Sequence, residues 1–163
     1  MLTKAHTFLD KIFHTLKSNS INIENLEIDH ICYRTSSAEN YLQIKSVFAE
    51  LGECLIESEV GGRPIATYKL NEPISYKGRN IALVEVPAPK NGKVTPEGYE
   101  HIEVVIDTSF EEIMKKYPHS NFDQKGLSKK INPELVIKFS DCAIKFHHQS
   151  LEKVIEMEKK ALV

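Results

Sequence analysis

The segment IDHICY at residues 28–33 has a counterpart later in the chain, YEHIEV at residues 99–104. In each copy an acidic residue precedes a histidine, His30 or His101, which opens an apolar run typical of a β-strand. Each run is followed by a serine and, three residues later, a glutamate, which is the pattern of a helix capping box. A histidine at the same place in two halves of one chain suggests two ligands that converge on one centre.

The hydrophobic pattern around these segments predicts alternating helices and strands. The expected helix caps are Ser36 with Glu39 and Ser109 with Glu112, and Gly52 marks the end of the helix between them. The expected elements are a helix at 3–17, a strand at 27–35, a helix at 37–51, strands at 53–60, 64–70 and 80–86, a strand at 99–107, a helix at 110–117, strands at 134–139 and 142–147, and a final helix capped by Ser150 and including Leu162.

This order of elements predicts an α+β fold with helices on one face of a mixed sheet. Residues 1–163 are expected to form one domain. Its first repeat covers about residues 27–87, a linker rich in proline and glycine covers 88–98, and the second repeat covers about 99–148. Additional helices precede the first repeat and follow the second.

Composition narrows the functional class. Hydrophobic residues make up 41% and charged residues 27% of the chain, as in ordinary globular proteins. The net charge of −2, without a basic cluster, argues against nucleic acid and anionic membranes as partners. Three widely spaced cysteines, no apolar run of membrane-spanning length and no signal-peptide pattern at the start predict a cytoplasmic protein.

Strand alternation assigns the candidate site residues to common faces. His30 and Arg34 share a face of the first strand, and His101 shares a face of the fifth strand with Glu103. Glu85 lies in the fourth strand, on the face opposite Val84 and Val86. Lys145 and His147 share a face of the last strand. Alignment of the halves by strand order makes Glu85 the counterpart of His147.

The chain resembles the YecM-like proteins of the vicinal oxygen chelate superfamily, which also includes glyoxalases, bleomycin resistance proteins and dioxygenases. The resemblance depends on several segments taken together. They are LEIDHI at 26–31, GRPI at 62–65, VEVP at 84–87, GYEHIE at 98–103 and IKFH at 144–147.

The resemblance implies two βαβββ units whose strands form one curled mixed sheet around a concave site for a divalent cation. It implies that His30, Glu85, His101 and His147 occupy the ligand positions. His147 departs from the pattern because many relatives have a glutamate there. It is therefore expected to bind the cation, to hydrogen-bond a substrate, or to do neither.

Two imidazoles and one carboxylate suit Zn²⁺, Fe²⁺, Ni²⁺ or Mn²⁺, and they leave coordination positions open for catalysis. Glu103 is the candidate catalytic residue, as a general base or as a group that orients a ligand. Lys145, Arg34 and Arg63 are candidates for binding an anionic substrate. The competing interpretation of Glu103 and Lys145 is an interior salt bridge.

The leading functional hypothesis is a metal-dependent enzyme acting on a small oxygen-rich or anionic molecule, by isomerase, lyase or dioxygenase chemistry. The first alternative is a protein that binds and sequesters a small molecule without turnover. The second is a structural or partner-binding protein that has lost its metal. Because one chain contains both repeats, a monomer suffices to complete the site, although a homodimer is also compatible with the sequence.

Overall fold

The computed structural model of the protein describes residues 1–90 and 93–161, with side chains through residue 160. Residues 91 and 92 of the expected linker and Leu162 of the expected last helix lie outside the described residues. The helices in the described part are α1 (Leu2–Ser18), α2 (Ala38–Leu51), α3 (Phe110–Lys116) and α4 (Leu151–Ala161). The strands are β1 (Ile28–Arg34), β2 (Gly52–Glu59), β3 (Pro64–Tyr76), β4 (Arg79–Pro87), β5 (Gly98–Val105), β6 (Phe122–Asp123), β7 (Leu135–Lys138) and β8 (Ala143–His147).

The chain forms two compact units. The first unit is His30–Glu100, and the second combines Met1–Asp29 with His101–Val163. Helices and strands alternate in both units, which confirms the predicted α+β class. No helix within the described residues is long and apolar enough to cross a membrane. The grouping of both units into one domain stays a prediction.

The two units repeat one connectivity. In the first, the sheet order is β2-β3-β4-β1, and β1 runs parallel to β4 while the other neighbours are antiparallel. In the second, the order is β6-β7-β8-β5, and β5 runs parallel to β8. Helix α2 follows β1 just as α3 follows β5. The predicted pair of βαβββ repeats is therefore confirmed.

The helix starts show one correct and one incorrect sequence prediction. Ser109 and Glu112 form the predicted capping box at α3, with both reciprocal hydrogen bonds. At α2, however, the predicted cap of Ser36 with Glu39 is wrong. The Ser37 hydroxyl accepts the backbone N–H of Asn40 at 3.0 Å, so the cap lies one residue later in the chain. Asn40 takes the role that was expected of Glu39, because the side-chain oxygen of Asn40 accepts the Ser36 N–H.

Glycines in the first unit allow two kinds of tight geometry. Gly61 and Gly62 both have positive φ, at 60° and 77°, and form the predicted turn between β2 and β3. Gly52 ends α2 as predicted, but its backbone is extended rather than left-handed. A Cβ there would lie 2.1 Å from the carbonyl oxygen of Lys69, so this glycine allows β2 to approach β3 closely.

The apolar face of the first unit's sheet packs on α2, as alternation predicts. The ring of Phe48 lies 5.9 Å from the ring of Tyr33 on β1 and 5.9 Å from the ring of Tyr68 on β3. All three side chains are buried. Burial of these rings holds the helix against the sheet by the hydrophobic effect and aromatic contact. The opposite face, which carries His30, is left to hold polar side chains.

Candidate functional site

Parallel pairing of β5 with β8 brings the second unit's polar residues together. Glu103 lies opposite Lys145 and Val105 lies opposite His147 in the strand register. Residues paired across neighbouring strands point to the same face of a sheet, and His101 joins them by the two-residue period of β5. Glu103, His101, Lys145 and His147 form what we call the Glu103 cluster.

Glu103 is the centre of this cluster and is only 5% exposed. Its Oε1 lies 2.9 Å from Nε2 of His101, and it accepts a hydrogen bond from the ammonium of Lys145 at 2.7 Å. Its Oε2 lies in contact with Nε2 of His147. The interior salt bridge considered from the sequence is therefore present. A buried carboxylate needs such compensation because its desolvation is costly.

His147 is buried, with 6% of its surface exposed, and its ring lacks hydrogen bonds. Nε2 touches the Glu103 carboxylate out of line for a hydrogen bond, and neither ring nitrogen has a hydrogen-bond partner in the described part of the chain. Buried polar atoms normally have partners. The ring is thus placed to bind a further group, such as a proton donor or a cation.

Glu134, which the sequence analysis did not identify, extends the cluster. Its Oε2 lies 3.8 Å from Lys145 Nζ, 3.9 Å from His147 Nε2 and 2.8 Å from Lys129 Nζ. Burial alone would raise the pKa of the Glu134 carboxyl, but the charge of Lys145 and the bond from Lys129 hold the pKa below its ordinary value. The carboxylate therefore stays charged beside Lys145.

A glycine makes room for this glutamate. A Cβ on Gly126 would lie 2.2 Å from Glu134 Cγ and 2.7 Å from the Glu134 carbonyl oxygen. The Glu134 N–H also donates to the Gly126 carbonyl at 3.2 Å. The close approach requires glycine in the 3-10 turn Lys125–Ser128. In the sequence, the signal that could have pointed to Glu134 is Gly126, a single glycine in a mostly polar and irregular stretch.

His30 and Glu85 come together in the first unit. His30 lies opposite Leu83 and Cys32 lies opposite Glu85, so all four residues share one face of two parallel strands. His30 and Glu85 offer ligand atoms within 4.8 Å of each other, and His30 is buried. Two donors at this separation are close enough to bind one cation after small adjustments of their side chains.

Arg34 ends β1 and Arg63 directly precedes β3, in the same unit but with β4 between the two strands. Arg34 donates from Nε to Glu100 Oε2 at 2.9 Å, and this ion pair holds the guanidinium in place. Burial alone would lower the pKa of Arg34, but the acidic neighbours Cys32 and Glu100 keep the pKa above its ordinary value. Arg63 donates from Nη1 to the carbonyl of Ala88 at 3.0 Å.

The strand register corrects the alignment of the two repeats. With His30 matched to His101, the partner Leu83 matches Ala143, and Glu85 therefore matches Lys145. The prediction that Glu85 corresponds to His147 is wrong by two residues. Strand order alone could not reveal this, because it fixes which strands correspond but not how far each is shifted along its neighbour.

The donor types within each unit suit a divalent metal. In the first unit they are the imidazole of His30 and the carboxylate of Glu85. In the second unit they include the buried imidazoles of His101 and His147. The contact between His101 Nε2 and the Glu103 carboxylate orients the imidazole ring. The unsatisfied ring of His147 also suits a cation.

Among solved structures, the chain is similar to Protein EC4020 from structural genomics, with a TM-score of 0.76 and 29% identity over 93% of this chain and 90% of that chain. It also has the fold of a methylmalonyl-CoA epimerase variant from Streptomyces coelicolor in complex with 2-nitronate-propionyl-CoA. That match has a TM-score of 0.53 and 12% identity over 75% of this chain and 94% of that chain. The expected fold resemblance to the vicinal oxygen chelate superfamily is confirmed.

The sequence comparisons identify the family. Protein YecM of Escherichia coli (strain K12) is 30% identical over 175 aligned residues, which cover 94% of this chain and 92% of the relative. The family model described as YecM protein matches residues 1–131, which include β1, β4 and β5. The chain therefore belongs to the YecM protein family.

Proposed function

We propose that the protein is a divalent-metal-dependent enzyme that acts on a small anionic molecule by moving a proton at carbon. The observation that carries this proposal is the buried Glu103 carboxylate with two imidazoles and an ammonium around it. A carboxylate held in this way has the position and the compensating charge of a general base. The same fold in methylmalonyl-CoA epimerase supports isomerase chemistry as the reaction type.

The proposed metal ligands are His30, Glu85 and His101, with His147 as a fourth donor. They are supported by the proximity of His30 to Glu85, by the oriented ring of His101 and by the unsatisfied ring of His147. A bound divalent cation would polarise a substrate oxygen and stabilise the negative charge that develops there.

Glu103 is the proposed proton acceptor. Its Oε1 already binds His101 and Lys145, so we assign the proton to Oε2, which lies against His147. Lys145 stabilises the charged form before the transfer. His147 lies next to Oε2 and positions that oxygen, and the Glu103 carboxyl returns the proton to the substrate carbon. Arg34 and Arg63 are proposed to attract the anionic part of the substrate.

The first test is elemental analysis of the full chain purified without an affinity tag. We expect close to one divalent metal ion per chain in the unaltered protein and a large loss in His101→Ala. His119→Ala is the matched control, because His119 is exposed and belongs neither to the Glu103 cluster nor to the pair of His30 and Glu85. Equal metal content in His101→Ala and the unaltered protein would disprove the ligand assignment.

The second test separates catalysis from sequestration. Small carboxylic acids and phosphate esters with an acidic C–H bond are incubated with the protein in D₂O, and exchange is followed by ¹H NMR. Deuterium incorporation that disappears in Glu103→Gln supports the proposal. Oxygen uptake without exchange would favour a dioxygenase instead. Binding without either reaction would favour the sequestering function.

A further inference from the structure

Arg63 is a partly buried cation whose direct partner is a neutral carbonyl. The side chain is partly buried, and within the described residues it forms a hydrogen bond only with the carbonyl of Ala88. Its Nε is buried and has no hydrogen-bond partner in that part of the chain, and no carboxylate forms an ion pair with the guanidinium there. Buried charges are normally paired, and buried N–H groups normally have acceptors. Arg63 Nε is therefore available to donate to a bound anion.

Arg63 is near enough to Arg34 and to Glu85 to interact with both electrostatically. Glu85 lies opposite Cys32 on β1 and opposite Thr67 on β3. Alternation along β1 assigns Arg34, two residues after Cys32, to the face that carries Glu85. Arg63 directly precedes β3. A hydrogen bond from Thr35 Oγ1 to the carbonyl of Pro87 at 2.8 Å holds the ends of β1 and β4 together.

The two guanidinium groups repel one another across this site. Burial lowers the pKa of Arg63 and the positive charge of Arg34 lowers it further, while Cys32, Glu85 and Glu100 offset part of the effect. Arg34 is partly neutralised by Glu100, whereas Arg63 has only a neutral carbonyl as its direct partner. An anion bound between the groups would relieve the repulsion and accept from Nε of Arg63.

Lys145 is a weaker candidate for the same task. Its ammonium already binds Glu103 at 2.7 Å and lies 3.8 Å from Glu134, so two carboxylates compensate its charge. Arg63 also has the planar fork of donors that matches the oxygen atoms of carboxylate and phosphate. Among Arg34, Arg63 and Lys145, Arg63 is therefore the cation without a direct carboxylate partner in the described part of the chain.

We propose that Arg63 and Arg34 form a binding site for the phosphate or carboxylate group of the substrate. This inference rests on the proposed function, because it makes the arginine pair the anchor of a substrate that reaches the face of His30 and Glu85. The substrate class is accordingly a small molecule with a terminal phosphate or carboxylate. Arg63 binds the oxyanion directly, and Glu100 positions Arg34 beside it.

Isothermal titration calorimetry of the full chain at constant ionic strength tests the site. Inorganic phosphate and malonate are the two probes. The probe that binds with the higher affinity indicates whether the substrate carries phosphate or carboxylate. We expect saturable binding of at least one probe, weakened roughly ten- to hundredfold in Arg63→Met. Arg79→Met is the matched control. It also removes one arginine charge, but at the start of β4, whereas Arg63 contacts Ala88 just beyond the end of β4.

Absence of saturable binding to the unaltered protein would overturn the site, as would equal losses in Arg63→Met and Arg79→Met. Circular dichroism checks that each variant folds. If Arg63→Met does not fold, Arg63→Lys replaces it. Arg63→Lys keeps the positive charge but loses the planar set of guanidinium donors. If its affinity for the probe equals that of the unaltered protein, direct binding by Arg63 is overturned.

Elemental analysis of the same samples tests the metal hypothesis separately. If the unaltered protein holds metal but binds neither probe, only the arginine site is contradicted.

Discussion

The ammonium of Lys145 lies 2.7 Å from Oε1 of Glu103, and the two residues are direct partners in the register of β5 and β8. This pairing is fixed by the backbone, since the parallel register sets the two Cα atoms side by side. The Glu103 side chain is almost fully buried, while that of Lys145 retains a small exposed fraction. The pair therefore determines whether a carboxylate can stay ionised inside the second unit.

Replacement of Lys145 with Met should destabilise the protein by about 3–5 kcal/mol, because it leaves a buried carboxylate without its cation. Urea unfolding at pH 7 measures the loss. Lys138→Met is the control, since Lys138 is mostly exposed and pairs with Asp123 at the surface, and we expect little change there. Addition of Glu103→Gln to Lys145→Met should recover part of the loss. A double variant no more stable than Lys145→Met would contradict the charge argument.

The sequence predicted the fold well because both repeats carry strong local signals. Alternating apolar residues, the Gly61-Gly62 turn and the Ser109 cap each depend on a few neighbouring residues, and the structure contains all three features. The shift of the α2 cap to Ser37 shows the limit of such patterns. Asn40 and Glu39 are both able to cap, and the choice between them depends on the exact backbone path at the helix start.

The site was less predictable because it depends on strand register and on distant contacts. Alternation correctly grouped Lys145 with His147, but it could not determine which of them corresponds to Glu85. Glu134 was missed because its role depends on a close approach to Gly126, which no local period reveals. The proposed roles of the site residues stay predictions, whereas the family and fold are established by the comparisons.

Removal of both His101 and His147 should eliminate bound metal more completely than either single change. His147 lies beside the Glu103 carboxylate with unsatisfied ring nitrogens, so it can serve as a spare donor after His101→Ala. Metal content of the single and double alanine variants, measured by elemental analysis, tests this order. Stoichiometric metal in the double variant would show that the ligands lie elsewhere.

Glu134→Gln should change how stability depends on pH. The folded-state pKa of Glu134 is lowered, so its carboxylate contributes stability that is fully present above its ordinary pKa and is lost as pH falls through the folded value. The unaltered protein should therefore be more stable than Glu134→Gln near pH 7, and the difference should shrink in acid below about pH 4.5. Urea unfolding over this range measures it.

Glu156→Gln serves as the control for that series, because Glu156 is exposed in the middle of α4, away from both ends of the helix. We expect its stability to follow that of the unaltered protein at every pH. A difference between Glu134→Gln and the unaltered protein that grows as the pH falls would mean that burial, rather than Lys145 and Lys129, dominates the energetics of this carboxyl.

Asp29 should prove structural although it precedes His30. Its Oδ2 accepts the backbone N–H of Leu151 at 2.9 Å and so caps the start of α4, where Ser150 accepts a second N–H from Lys153 at 3.4 Å. Asp29→Ala should cost about 0.5–2 kcal/mol, and Asp29→Asn less, because the amide keeps an acceptor oxygen. Metal content should be unchanged in both variants but reduced in His30→Ala. Equal metal loss in Asp29→Ala and His30→Ala would instead place Asp29 among the groups that support the metal.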